Sequence, residues 1–340
     1  MKNIQYVFLI FAVFFASCKN QDWEFPDFDY QTVYFAHQYP VRTITLGDDI
    51  YDTSLDNEWK FQIMATTGGV YESGTVGIDI EVDNSLVNGL EFGNGNDIIA
   101  MPNEYYTLSS NQIVIPKGKL VGGVEVQLTQ AFFNDPLAIH NNYVIPVVMT
   151  GVNNADSILS GVPVVDNPDR LDPGHWAVMP KDYVLYAVKY INTWHGFYLR
   201  RGVDVITGKN GKDELSGTFV RHKQYVEDDE VNKLNTIALN QVEFPLVYKD
   251  VDGTNINCPI ILTFDDEGNC TVSSASNDYT ATGSGKFVVK GEKKSWGNQD
   301  RDALYLTYEI DHNELHVAAT DTLVMRNRGV TMELFSPVKQ

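Results

Sequence analysis

Short runs in which apolar and polar residues alternate one by one, each closed by a turn signal, constrain the fold of this chain more than any other feature. "QTVYFA", "VRTITL", "EWKFQIMAT", "GTVGIDIEV", "NQIVIPKG", "GGVEVQLT" and "NYVIPVVMT" follow one another from Gln31 onward. Gly47-Asp48, Gly68-Gly69, Asp83-Asn84, Asn94-Gly95 and Lys117-Gly118 separate them. A period of two belongs to strands, whose successive side chains point to opposite faces, so that one apolar face can meet a core. Strands of about five to eight residues at this spacing predict an antiparallel β-sandwich rather than an α/β fold. "AFFNDPLAI" (Ala131–Ile139) reads as a short helical or irregular piece. The predicted class is all-β.

"GVPVVDNPDRLDPGHWAVMPKD" (Gly161–Asp182) holds four prolines and several turn formers, the composition of a crossing between domains. Beyond it the strands lengthen, as in "YVLYAVKYI", "HGFYLRRGVDV", "SGTFVRHKQYVE", "SGKFVVKGE", "ALYLTYEI" and "LHVAATDTLVMR". Tight polar turns join them, which suits an up-and-down barrel because closure removes sticky sheet edges; a second sandwich is the alternative. "TWHGFYLRRG" and "DTLVMRNRG" resemble the ends of a lipocalin-like barrel, where a Trp near a Gly packs under an Arg from the last strand. That resemblance implies Trp194 and Arg326 as the closing pair, through aromatic burial and cation–π contact. The first domain resembles Ig-like and Calx-β-like sandwiches. The expected organisation is a signal peptide (1–17), a tether (18–30), an Ig-like sandwich (31–160), a linker (161–182) and a lipocalin-like antiparallel barrel (183–340).

The apolar stretch "YVFLIFAVFFA" (Tyr6–Ala16) is too short to cross a bilayer but typical of a secretory leader. Phe15-Ala16-Ser17-Cys18 resembles the lipobox of bacterial lipoproteins, which implies cleavage before Cys18 and lipidation of its thiol. Two or three acyl chains anchor a protein stably where one does not. Cys258 and Cys270 flank "PIILTFDDEGN", a strand-turn-strand. With the turn centred on Asp266–Glu267 their sulfurs face opposite sides several residues apart, so free thiols are expected.

With 25 basic against 45 acidic residues, the chain has a net charge of −20, which disfavours nucleic acid and anionic lipid surfaces. No Gly-x-Ser-x-Gly elbow, phosphate-cradling glycine loop or His-Glu-x-x-His occurs, and no enzyme activity or cofactor is expected. His312, Glu314 and His316 of "DHNELH" would share one face of a straight strand, but "DHNE" reads as a hairpin turn. "YKDVDGTN", with Asp250 and Asp252, lacks the later bidentate carboxylate of a calcium loop and also reads as a turn. Trp59 and Trp194 sit in alternating strands and are assigned to the core. Trp296 instead lies in polar "KGEKKSWGNQDRD", beside Asn298, Asp300 and Arg301. An indole ringed by amides and charges suits a sugar, whose C–H face stacks while its hydroxyls take directional bonds; the competing reading folds Trp296 back over the barrel rim. Tyr105 and Trp176 are further candidate surface aromatics, Trp176 at the domain junction.

"YPVRTITLGDD", "TTGGVYESGTV", "PNEYYTLSS", "IVIPKGKLVGGVEVQLTQAFFND" and "YVIPVVMTGVNNADSILSG", with Cys18, look like the N-terminal domain of Bacteroidetes surface lipoproteins. "WHGFYLRRG", "GKFVVKGEKKSWGNQDRDALYLTYEI" and "DTLVMRNRGV" look like the C-terminal domain paired with it. The resemblance to these proteins of polysaccharide-utilisation loci implies outer-membrane anchoring facing outward. It also implies glycan binding, and partnership with a starch-utilisation-type transporter and its lipoprotein. A structural subunit of the transport complex, or a lipocalin-like carrier of a small apolar ligand, are the alternatives.

Overall fold

The structure, a computed structural model, describes residues 28–70 and 74–340. The leader, Cys18 and most of the expected tether lie outside the described residues. Two β bodies follow, in keeping with the alternation.

The first is one twelve-stranded sheet that turns a corner into two layers. One carries Thr32–Tyr34, Lys60–Gly68, Tyr106–Leu108 and Val121–Leu128; the other carries Pro40–Thr45, Val76–Val82, Gln112–Ile115, Tyr143–Asn153 and Tyr183–Ile191. They join where Val114 pairs with Gly123. A Cβ on the adjacent Gly122 would sit 2.0 Å from the Val114 carbonyl oxygen, so the glycines of "LVGGVEV" let the two backbones touch. Phe61, Ile63, Ile78, Ile113, Val126 and Ile145 fill the space between the layers. The short helix Gln130–Asn134 adds Phe132 and Phe133.

Tyr183–Ile191 lies inside the expected barrel domain (183–340) but belongs to the sandwich. It pairs antiparallel with Tyr143–Val148 and parallel with Val41–Thr45. Both faces are buried: Val184, Val188 and Tyr190 in the main core, Tyr183, Leu185 and Ala187 against an outer layer that includes Phe92 and Phe335. A strand covered on both sides shows no alternation from which to read its place. Part of that cover is the tail after the barrel, where Glu333–Leu334 pairs with Pro40–Val41 and Val338–Lys339 with Leu90–Glu91.

The second body is a closed antiparallel barrel of eight strands. They are Gly196–Gly208, Glu230–Ala238, Gln241–Phe244, Ile260–Phe264, Asn269–Ser274, Thr280–Glu292, Arg301–Asp311 and Leu315–Asn327, and the last pairs with the first. The end near the sandwich is plugged by Trp194, stacked on Phe264 at 4.0 Å and 7°. The arginine at this end is Arg328, not Arg326. Phe197 pairs with Asn327 and Tyr198 with Met325, so Arg326 is the extra residue of a bulge and its side chain is exposed. Arg328 is buried and donates to the carbonyls of Asn192, His195 and Asp48 at 2.5, 2.7 and 3.0 Å. It clasps the plug to the sandwich by hydrogen bonds, with no cation–π contact to Trp194 among the described residues. Asn192, fully buried where the chain crosses, donates to the carbonyls of Ala238 and Gln241 and accepts from the N–H groups of Trp194 and His195.

Cys258 and Cys270 are free and buried, but they face the same side. Cys270 pairs with Phe264 rather than Thr263, because Gly268, at φ +79°, adds a residue to the turn. A one-residue slip turns every side chain to the other face. The two thiols still lie about six residues, roughly 20 Å, apart along the hairpin. Burial raises them to about 11 and about 12. Both thiols should therefore stay unreactive toward a thiol-disulfide reagent in the native protein and react promptly in urea; fast native labelling would contradict the buried register.

His195 sits at the junction, its Nδ1 accepting the Thr236 N–H at 3.0 Å. Burial first, then Lys233, Arg328 and Lys189, push its pKa down to about 3, against about 6.5 in an unfolded chain. Between those values the unfolded chain takes up a proton that the folded one refuses, so stability is lost as pH falls through that window. Urea unfolding at pH 7.5 and 5.0 should show the wild type losing about 1–2 kcal/mol more than His195→Gln. Equal losses would contradict this.

Candidate functional site

The barrel end away from the sandwich is open. Its rim is raised by the loop 209–216, the strand Gly217–Arg221 and the hairpin Val247–Lys249/Asn255–Asn257. That hairpin is the "YKDVDGTN" turn: the Gly253 N–H bonds the Asp250 carbonyl, and the Thr254 N–H bonds Asp252. "DHNE" is likewise a hairpin turn, between Arg301–Asp311 and Leu315–Asn327. Lys212 laces these lips together, with Nζ 2.5 Å from Asp250 and 3.0 Å from Glu314, and it holds the Asp250 carboxyl below its usual range.

The mouth encloses about 590 Å³. Ile206, Leu215, Phe219, Val251 and Leu315 form its apolar wall, and Asp204, Glu214, Tyr248 and Lys249 supply polar groups. Strand parity explains the arrangement. Arg200, Gly202, Asp204 and Ile206 share the inward face of Gly196–Gly208, while Phe219 pairs opposite Asp204 and Arg221 opposite Gly202. Gly202 is required, since a Cβ there would lie 2.3 Å from Asp321 Oδ1.

Beneath the mouth, two arginines and two aspartates interlock. Arg200 Nε donates to Asp321 Oδ2 at 3.0 Å, and Arg200 Nη2 donates to the Tyr308 hydroxyl at 3.0 Å. Tyr308 in turn donates to Asp321 Oδ2 at 2.8 Å. Arg221 Nη2 reaches Asp321 Oδ1 at 2.7 Å and Asp204 Oδ1 at 2.9 Å. Burial works against the charge of Arg221, but its bonds to Asp204 and Asp321 raise its pKa all the same.

Two groups in the mouth are left for a ligand. Tyr248 is 8% exposed, and its buried hydroxyl makes no hydrogen bond of good geometry among the described residues, its one polar neighbour being the Tyr308 hydroxyl of the network; native proteins leave few such groups poorly satisfied. Phe219 faces inward yet is 50% exposed, a flat apolar ring at the entrance. Such a site can take a molecule with an apolar face and a hydroxyl-bearing edge.

The residues singled out from sequence lie elsewhere and in separate places. Trp296, Asn298, Asp300 and Arg301 share one turn, but the indole is half-buried, with Nε1 donating to the Met325 carbonyl at 3.1 Å. The Arg301 guanidinium lies 3.4 Å over one ring face, so that face is occupied. Asp300 accepts from Lys293 and the Lys294 N–H, and Asn298 adopts φ +53°. This matches the reading in which Trp296 folds back onto the barrel. Tyr105 belongs to the sandwich, packed edge-on against Phe132 and Tyr143 with its hydroxyl 2.7 Å from Asp135. Trp176 sits in a two-stranded ribbon with Val162–Pro163, its Nε1 donating to the Asp169 carbonyl at 2.6 Å; the junction is made instead by Asn192–His195. Phe219, Tyr248 and the charge network carry no motif. The visible signal was Arg200 and Asp204 flanking a glycine on the inward side of an alternating strand.

Comparison with known proteins adds the following. A family model described as a domain of unknown function, DUF5627, matches residues 193–329, and another, described as a "-like, N-terminal domain", matches residues 28–156. A crystal structure of a Bacteroides ovatus protein of unknown function is 47% identical and superposes with a TM-score of 0.87, over 92% of this chain and 100% of that one. An auxiliary nutrient binding protein from Bacteroides thetaiotaomicron (12% identity, TM-score 0.38) covers 84% of this chain and 90% of its own. A multidomain protein including DUF1735 from Bacteroides ovatus (12%, 0.39) covers 86% and 94%. These two similarities are too low to bear on function. No curated protein matches the chain.

Removing one partner of the charge network strands the others in a dry interior. Asp321→Ala should therefore lower barrel stability by about 3–5 kcal/mol in urea unfolding, whereas an effect below about 1 kcal/mol would show that the network is not held as described.

Proposed function

The chain belongs to one family with that Bacteroides ovatus protein, and on this footing we propose that it is a non-catalytic saccharide-binding lipoprotein whose site is the open barrel mouth. The carrying observation is the inward-facing, half-exposed Phe219, set opposite buried Asp204 and within one cavity with Tyr248 and Glu214. A pyranose ring stacks its C–H face on Phe219 and turns its hydroxyls toward Tyr248 and Glu214. In this reading Cys18 carries the lipid anchor, the protein is displayed at the outer surface of the outer membrane, and it hands oligosaccharide to a starch-utilisation-type transporter and its lipoprotein partner. The aliphatic wall of Ile206, Leu215, Val251 and Leu315 favours a second reading, a carrier of a small amphipathic ligand.

A glycan array followed by calorimetry on residues 19–340 tests the proposal. Phe219→Ala should weaken the selected oligosaccharide at least tenfold, and Trp296→Ala should leave it unchanged. The opposite pattern would move the site to the Trp296 turn. Binding of an apolar fluorescent probe that is lost in Phe219→Ala, with no glycan of the array bound, would replace the saccharide by the carrier reading.

A further inference from the structure

We infer that the cleft between the sandwich and the barrel is a second binding site, built for a small oxyanion: a carboxylate, sulfate or phosphate group. The cleft encloses about 340 Å³ and is lined from both bodies, by Thr43 and Lys189 of the sandwich and by His195, Lys233 and Arg328 of the barrel. Glu333 is the one acid among its lining residues. It stands 2.6 Å from Lys189 Nζ, and among the described residues neither Lys233 nor Arg328 has a carboxylate at ion-pair distance, Asp48, Asp49 and Asp302 acting on Arg328 only from farther off.

The contrast with the other arginines of the barrel carries the inference. Arg200 and Arg221 both hold Asp321, at 2.9 and 2.7 Å, and Arg201 holds Asp229 at 2.6 Å. Arg328, only 3% exposed, bonds carbonyl oxygens alone, and among the described residues no carboxylate lies within 4.0 Å of it. Lys233 has no ion pair among the described residues either; its ammonium rests 5.5 Å from the Phe197 ring centre. A buried guanidinium with no carboxylate in direct contact costs free energy that a bound anion recovers.

His195 completes the donor set. Its Nδ1 must accept, because the Thr236 backbone N–H points at it from 3.0 Å. The neutral ring then carries its proton on Nε2, which has no partner among the described residues. The surrounding cations and burial keep the ring neutral, so it offers one directed N–H rather than a further charge. An oxyanion there meets two unpaired cations and a neutral donor, and it links the two bodies of the molecule.

The test is titration of residues 19–340 with sodium sulfate, sodium phosphate and sodium glucuronate, at ionic strength held constant with chloride, followed by calorimetry and thermal unfolding. At least one anion should bind saturably and raise the unfolding temperature. Saturation by sulfate or phosphate alone identifies a free inorganic anion or its ester; saturation by glucuronate alone identifies an acidic sugar. Lys233→Gln should weaken binding about tenfold, and Glu333→Gln, which releases Lys189, should tighten it several-fold. The site is overturned if none of the three anions saturates beyond chloride, or if Lys233→Gln and Glu333→Gln both leave the affinity unchanged.

Discussion

Arg200, Arg221, Asp204 and Asp321 lock two positive and two negative charges inside the barrel, and the character of the whole C-terminal body depends on that lock. An eight-stranded barrel is just wide enough for side chains to fill. Near the sandwich they do fill it, with Trp194 on Phe264 and with Tyr198 and Leu323 in the core. Farther out the interior turns polar, and no member of the network can leave without stranding its partners. The network thus fixes where the apolar filling stops and a solvent-reached mouth begins. Its strand placement follows from parity, since the charges alternate with Gly202 on one inward face.

The two bodies are joined by structure rather than by a loose linker. A strand buried on both faces, Tyr183–Ile191, ends at Asn192, whose amide is spent entirely on barrel and junction backbone. Arg328 returns from the last barrel strand to bond both sides of the crossing, and the tail beyond it adds a short strand to the first sheet. The cationic cleft is a consequence: the chain brings Lys189, Lys233 and Arg328 to one place from three strands or their ends.

The class and much of the hairpin layout are legible in the sequence, because half-buried strands such as Lys60–Gly68 announce themselves by alternation. The turns at "DHNE" and "YKDVDGTN" are legible for the same reason, as polar breaks between periodic runs. Tyr183–Ile191 is not, since burial on both faces erases the period. Single-residue irregularities also escape: the bulge at Arg326 passes the closing role to Arg328, and the added turn residue at Gly268 flips the expected facing of Cys270. The barrel mouth is the least legible part. Asp204, Phe219, Tyr248 and Asp321 meet only after the barrel closes, and no local spacing relates them.

The central claim is that the mouth above this charge network is the ligand site. A crystal structure of residues 19–340 with the array-selected oligosaccharide tests it most directly. The account predicts a sugar ring stacked on Phe219 with a hydroxyl in hydrogen-bond distance of the Tyr248 oxygen and the four-charge network unchanged beneath it. A sugar ordered against Trp296, with the mouth holding only water, would contradict it.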